Sequence, residues 1–160
     1  KTKKKFFVFN THFDHRGELA KLESVKLILK QIYELGKNKT PVVLTGDFNV
    51  DQDSEAYKLL VGSGILQDAV NVLKDPYLPN GTFNAFKVDV VSVSRIDHVF
   101  VSSKFDVLKY GILTDTYHPK EVYDVPEFKV KPPLGEVLLV PSKAKVPSDH
   151  YPVKIEVVLK

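Results

Sequence analysis

Apolar and polar positions follow two different periods along the first third of this chain, and the change of period marks its first elements. Phe6-Phe7-Val8-Phe9 is a continuous aromatic and β-branched run that ends in the polar group Asn10-Thr11-His12, which predicts a strand over Lys5 to His12. From Glu18 to Leu35 the period becomes helical. Leu22, Val25, Leu29 and Ile32, widened by Leu19, Ile28 and Leu35, fall on one stripe, with Lys21, Glu23, Lys30 and Glu34 away from it. Gly36 stops the helix. Val42-Val43-Leu44-Thr45 then predicts a buried strand that breaks at Gly46 and delivers Asp47-Phe48-Asn49 at its end. Strand, helix, strand in this order is a βαβ unit, whose strands run parallel and whose ligands collect at the strands' carboxyl ends. His12 and Asp47-Phe48-Asn49 stand at those ends. On an extended backbone Asp47 and Asn49 face the same way while Phe48 turns inward. An ordinary turn accounts for the same residues equally well, since Asp, Asn and Gly are all turn formers.

Downstream, Asp53 or Ser54 caps a short helix, Glu55 to Val61, closed by Gly62 and Gly64. Residues 65 to 94 carry no regular period, with Thr82-Phe83 as a short strand among turn signals. Arg95 to Ser102 predicts a strand with Arg95, Asp97 and Val99 on one face and Ile96, His98 and Phe100 on the other. Phe105 to Thr114 and Val153 to Leu159 predict two more. Between His118 and Pro147 lie five prolines and several lysines, so this stretch is a long excursion rather than a packed element, with Val137 to Val140 as its one strand-like segment.

Composition narrows the classes. A chain of 160 residues, 43% hydrophobic, suits one domain with a real core. There is no cysteine, which excludes a disulfide framework and thiolate chemistry and leaves the compartment open. A net charge of +3 is compatible with an anionic substrate without implying one. The basic start Lys1, Lys3, Lys4, Lys5 precedes an apolar run far too short for a signal segment or a membrane span, so the chain reads as soluble. It does not begin with Met and enters a strand almost at once, so it is expected to be a piece of something longer.

Four separated segments each place a small polar cluster beside a strand: Asn10-Thr11-His12, Gly46-Asp47-Phe48-Asn49, Arg95-Ile96-Asp97-His98 and Ser148-Asp149-His150. Singly, each has a structural explanation: His12 as a satisfied rim histidine, Asp97 as a partner for Arg95, Asp149 as a cap. In this order they resemble the motif series of the C-terminal half of the endonuclease/exonuclease/phosphatase superfamily, the deoxyribonuclease-like metal-dependent phosphoesterases. The match runs from Phe6 to about Asp115 and again from Pro147 to the end. With Gly81-Thr82-Phe83 and Pro147-Ser148-Asp149-His150, it is most similar to bacterial-type members described as metal-dependent hydrolases.

The resemblance implies an α/β fold, one sheet-plus-helices half of a four-layer α/β sandwich, with an insertion at about 118–146. It also implies roles. Asp47 would activate the attacking water, as a base or through a metal, and Asn49 would hydrogen-bond the phosphate, with Arg95 as a further substrate contact. Asp149, together with Asp47, would ligate the metal. His150 would contact the phosphate or help deprotonate the nucleophile, Asp97 would accept from its other ring nitrogen, and His12 would donate to charge building on the leaving group. Carboxylates and a carboxamide suit Mg²⁺ or Mn²⁺, and no clustered His or Cys spacing points to zinc. His98 occupies a position that is usually aromatic and reads as a packed side chain.

Two departures stand out. Family members draw an Asn and a metal-binding Glu, within a Gln-Glu motif, from an N-terminal half, and no Gln-Glu occurs here. Residues 1–160 are therefore expected to be a fragment whose partner is that missing half, with one strongly apolar sheet face left exposed. The other departure is the 118–146 insertion. Its lysines, with Lys87, Arg95 and Lys104, form no dense patch, so nucleic acid stays open beside lipid and small-molecule phosphate esters. The contrasting expectation is a non-catalytic binding domain that keeps the fold with an incomplete metal site.

Overall fold

The computed structural model describes residues 4–37, 39–74, 76–78, 80–117, 128–130, 137–139 and 144–160. It is an α/β structure. Strand β1 (Phe7–His12) lies parallel to β2 (Val42–Asp47), joined by helix α1 (Glu18–Gly36), with Phe7 opposite Val42 and His12 opposite Asp47. Helix α2 (Glu55–Gly62), strand β3 (Gln67–Asp68) and helix α3 (Ala69–Val72) follow, then β4 (Asp97–Val101), which pairs antiparallel with both β2 and β3. The sheet order is β1-β2-β4-β3. Strand β5 (Phe105–Ile112) forms a separate antiparallel ribbon with the closing strand, and β6 (Phe128–Val130) pairs with β7 (Val137–Leu139). The closing strand, β8, runs from Val153 to Leu159. The rest of the expected 118–146 insertion, residues 118–127, 131–136 and 140–143, lies outside the described residues.

The period of two along β2 and β4 builds two cores at once. Val42 and Leu44 with Phe100 face α1 and α2, packing with Phe48, Val25, Ile32 and Leu60. Val43 with Val99 and Val101 faces the other way, against Val107, Tyr110 and Ile112 of β5 and Val146 and Tyr151. The second face is thus not bare: the β5–β8 ribbon covers it over β2 and β4. It leaves the edge strand open, where Val8 remains 61% exposed. The expected exposed apolar face is thus exposed only in part, because the chain folds its own ribbon back over the middle of the sheet.

Helix α1 differs from its stripe in an instructive way. Leu19 and Leu35 are exposed while Lys21 is buried. Lys21, Val25, Ile28 and Ile32 repeat at spacings of four, three and four, so Lys21 shares the packed face. Its stem takes the apolar position and its ammonium reaches Glu18 Oε1 at 2.8 Å. Ser54, rather than Asp53, caps α2, accepting from the Tyr57 amide at 3.1 Å. The stretch from 65 to 94 is not wholly irregular, since it contains β3 and the single turn α3, both too short to leave a period in sequence. Among the described residues no helix is long and apolar enough to cross a membrane.

Gly46 is the position on which the β1–β2 pairing turns. Its φ is +153°, and a Cβ there would lie 1.9 Å from the Thr11 carbonyl oxygen. The parallel strands approach so closely at the site end that any side chain must push them apart. Gly46→Ala is expected to lower stability by about 2 kcal/mol or more, with a matching drop in the urea midpoint followed by circular dichroism. Gly62→Ala, with open space around it, is expected to leave that midpoint nearly unchanged.

Candidate active site

Strands β1, β2 and β4 end together, and their last or first residues meet at one rim. Asp47 closes β2 and stands in cross-strand register with Asp97, the first residue of β4. Two carboxylates placed opposite one another repel, so this register stands only with positive charge or donors between them. His150 supplies that charge. Its Nδ1 lies 2.8 Å from Asp97 Oδ2 and its Nε2 3.9 Å from Asp47 Oδ2. His12, at the end of β1, brings Nε2 to 3.3 Å from the same Asp47 oxygen while its side chain stays 74% exposed. The other Asp47 oxygen accepts from the Asn49 amide at 2.8 Å, which fixes the plane of the carboxylate.

Asp97 and His150 are held from behind. Buried Thr82 places its hydroxyl oxygen where the amides of Ile96 and Asp97 both donate to it, at 3.0 Å each, aligning the entry to β4. The amides of Asn84 and Ala85 donate to the Asp149 carbonyl, and the Asn84 carboxamide donates to the Ser148 carbonyl at 3.2 Å, so the loop around Thr82 carries the His150 segment. The Phe83 ring meets the His150 ring edge-on at 5.1 Å. In front lies an open cleft of about 610 Å³, lined by Asn10, His12, Asp47, Asp97 and His150 with neighbouring backbone.

Three other residues singled out from the sequence stand differently. Asn49 does not share the orientation of Asp47, because the backbone leaves the extended region there, with φ +50°, and its carboxamide donates to the Phe13 carbonyl at 2.9 Å. Arg95 does not face the cleft: it is buried and its guanidinium binds Asp68 at 2.9 Å and His98 Nδ1 at 2.7 Å. Strand β4 begins only at Asp97, so strand alternation does not govern Arg95 and it turns to the side of His98. Asp149 stands outside the compact group of ligand atoms formed by Asp47, Asp97 and His150, which lie within 4.8 Å of one another. His98 is fully packed, among Phe48, Tyr57 and Phe100. The supporting residues Thr82, Asn84 and Asp68 drew no role from the sequence, because a buried hydroxyl, carboxamide or carboxylate that serves backbone or arginine donors has no spacing to betray it.

Residues 4–150 match the family described as the Endonuclease/Exonuclease/phosphatase family. The chain belongs to that family. Among solved structures it is similar to the mannosyl-6-phosphatase of Bacteroides thetaiotaomicron VPI-5482, at 41% identity and a TM-score of 0.80, over 99% of this chain and 53% of that one. A second structure from the same organism, an endonuclease/exonuclease/phosphatase family protein, aligns at 40% identity and a TM-score of 0.80, over 99% of this chain and 52% of that one. A Bacteroides vulgatus family member aligns at 29% identity and a TM-score of 0.70, over 99% and 51%. The chain thus spans about half the length of these structures. The human Nocturnin catalytic domain, at 18% identity and a TM-score of 0.66, shares the fold. No curated protein matches. Members of this family hydrolyse phosphate esters, and in this chain Asp47, Asp97 and His150 bring their ligand atoms within 4.8 Å of one another, close enough to hold a metal ion.

The electrostatics of the rim set a pH signature. Burial works against the His150 imidazolium, but the hydrogen bond and charge of Asp97, with Asp47 and Asp149 beyond, outweigh it and hold the pKa above its ordinary 6.5. A raised histidine pKa contributes stability that is fully present below the unfolded value and is lost as pH rises through the folded one. In metal-free buffer, Asp97→Asn is therefore expected to lower the His150 pKa measured by NMR titration. The stability gap between the native chain and the variant should be widest near about pH 5 and shrink toward about pH 8.

Proposed function

We propose that this domain hydrolyses phosphomonoesters of small molecules, sugar phosphates among them, by metal-assisted attack of water. The observation that supports this reading best is the convergence of Asp47, Asp97 and His150 from three separate segments at one cleft. A nucleic-acid track calls for basic side chains along it, and none of the described residues lining this cleft is Lys or Arg. The phosphatase named among the similar structures, at 41% identity, points the same way.

The chemistry of the donor set fits a hard divalent cation, Mg²⁺ or Mn²⁺, since two carboxylates and an imidazole bring their ligand atoms within 4.8 Å. Asp47 would hold such an ion, with Asp97 beside it, and the ion would supply charge for the phosphoryl oxygens and a water acidified enough to attack near neutral pH. The rest follows from the chain's own groups. Asp47 Oδ2, which lies between His12 and His150 while Oδ1 takes the Asn49 amide, accepts the proton of the attacking water. Asp97 holds the His150 ring by Nδ1, so its Nε2 faces the cleft side of Asp47 and donates to a phosphoryl oxygen. His12, exposed at the rim, donates to the leaving-group oxygen. Asn49 serves by fixing Asp47 and the loop behind it, and Asp149 adds negative charge near His150. In this reading residues 1–160 are the C-terminal half of the domain, and an N-terminal half completes the cation site.

The test is turnover of mannose 6-phosphate and of a generic aryl phosphate by the full polypeptide carrying these residues, with Mg²⁺ or Mn²⁺, against plasmid DNA as control. Asp47→Asn and His150→Ala are expected to lower kcat by about 10² to 10⁴ with the fold intact, and chelation by EDTA to abolish turnover. Full activity in both variants would overturn these roles. Binding of Mn²⁺ and of phosphate without turnover would leave a non-catalytic binding domain.

A further inference from the structure

Beneath the active-site rim lies a buried polar network for which the hydrolytic roles above have no use. Asp68 and His98 are 1% exposed and Arg95 6%. Asp68 Oδ2 accepts from Arg95 Nη2 at 2.9 Å and from the Tyr57 hydroxyl at 2.8 Å, and that hydroxyl accepts in turn from Asn71 at 3.1 Å. With its carboxamide oxygen turned inward, Gln52 accepts from Arg95 Nε at 2.6 Å and Nη2 at 2.9 Å. The third guanidinium nitrogen, Nη1, lies 2.7 Å from His98 Nδ1.

That last contact determines the state of the histidine. Arginine can only donate, so His98 Nδ1 is an acceptor and the ring proton sits on Nε2. Nε2 lies 2.8 Å from the Val50 carbonyl oxygen and donates to it. The Asp68 carboxylate lies 3.6 Å from the same Nδ1, beyond hydrogen-bond length, so the Arg95 contact selects the tautomer. Val50 ends the turn that begins at Asp47. The same ring packs edge-on against Phe48, 5.7 Å between centroids, and Phe48 lies between Asp47 and Asn49 in that turn.

We propose that His98 is a positioning residue, oriented by Asp68 and Arg95, whose Nε2–H pins the Val50 carbonyl and thereby sets the turn that carries Asp47. The start of the turn is held by the Phe13 amide on the Asp47 carbonyl and the Phe48 amide on the Ile96 carbonyl, and its middle by the ties of Asn49 to Asp47 and Phe13; the Val50 carbonyl, which His98 takes, is its far end. Without the pin the turn can relax, and a displacement of about 1 Å at the base costs on the order of 10²-fold in rate.

The proposal rests on the hydrolase reading for its kinetic arm only. In the full polypeptide, His98→Asn keeps an acceptor near Arg95 but cannot reach Val50, while His98→Gln can present a donor to that carbonyl. The asparagine variant is expected to lose about 10- to 100-fold in kcat with KM within about threefold, and the glutamine variant to recover part of it at a similar Tm. Amide exchange at Asn49 should quicken by about tenfold or more in the asparagine variant while amides in the middle of β2 hold. Independently of any variant, NMR of the native protein should show a His98 Nε2 proton in slow exchange and a hydrogen-bond coupling from it to the Val50 carbonyl. A His98 proton on Nδ1, or an asparagine variant with native kcat and native Asn49 exchange, would overturn the proposal. If the native protein turns over no phosphate ester, the hydrolase reading fails, and the exchange and coupling measurements still decide the role of His98.

Discussion

Two carboxylates face each other across the β2–β4 pairing, and much of the molecule is arranged to make that tolerable. Asp47 and Asp97 occupy the same rung of an antiparallel ladder, at a rim where neither can turn away from the other without leaving the strands. Opposed like charges are unfavourable in a sheet, so the rung imports compensation. One oxygen of Asp47 takes a backbone amide, one oxygen of Asp97 takes the ring of His150, and His12 leans in from the neighbouring strand. A rim that concentrates negative charge and keeps an open cleft in front is suited to a cation and a phosphate together.

Holding that arrangement is the task of two layers that never touch the cleft's contents. On one side, Phe48 is clasped by Phe13 at 5.0 Å, Phe100 at 5.2 Å and His98 at 5.7 Å, so the residue between Asp47 and Asn49 is anchored in the helical core. On the other, the loop of Thr82 to Ala85 grips both the start of β4 and the backbone of Ser148 and Asp149. The acidic pair and the histidine between them are therefore positioned by separate parts of the chain. Among the described residues, the strained backbone positions gather mostly here, with Lys37 at the end of α1 standing apart. Asn49, Ala85 and Phe86 all adopt positive φ, and Gly46 lies where the β1 backbone leaves no room for a side chain.

Family membership and geometry meet at the level of phosphate-ester hydrolysis. The similar structures are about twice as long as this chain, so the rest of their length has no counterpart among these residues. What these residues do contain is a self-covered sheet. The β5–β8 ribbon buries Val99 and Val101 and partly covers Val43 on the face away from α1, while Val8 on the β1 edge stays exposed.

Periodic elements were readable from residues alone, because a helix or strand longer than about two turns or five residues repeats its burial often enough to leave a pattern. That covers β1, α1, β2, β4, β5 and β8, and with them the placement of His12 and Asp47 at strand ends. Ser148-Asp149-His150 was legible only as a motif, since nothing local ties it to the others. Tertiary structure alone decided the rest. Arg95 turned from the cleft to Asp68, a carboxylate 27 positions earlier whose partner no spacing announces. Asn49 turned aside because a left-handed backbone overrides strand alternation. Lys21 was buried because its stem packs on the inward helix face while its ammonium pairs with Glu18 one turn back. Local sequence governs which backbone shapes are cheap, while the direction of a polar side chain depends on which distant donor or acceptor the fold brings within 3 Å of it.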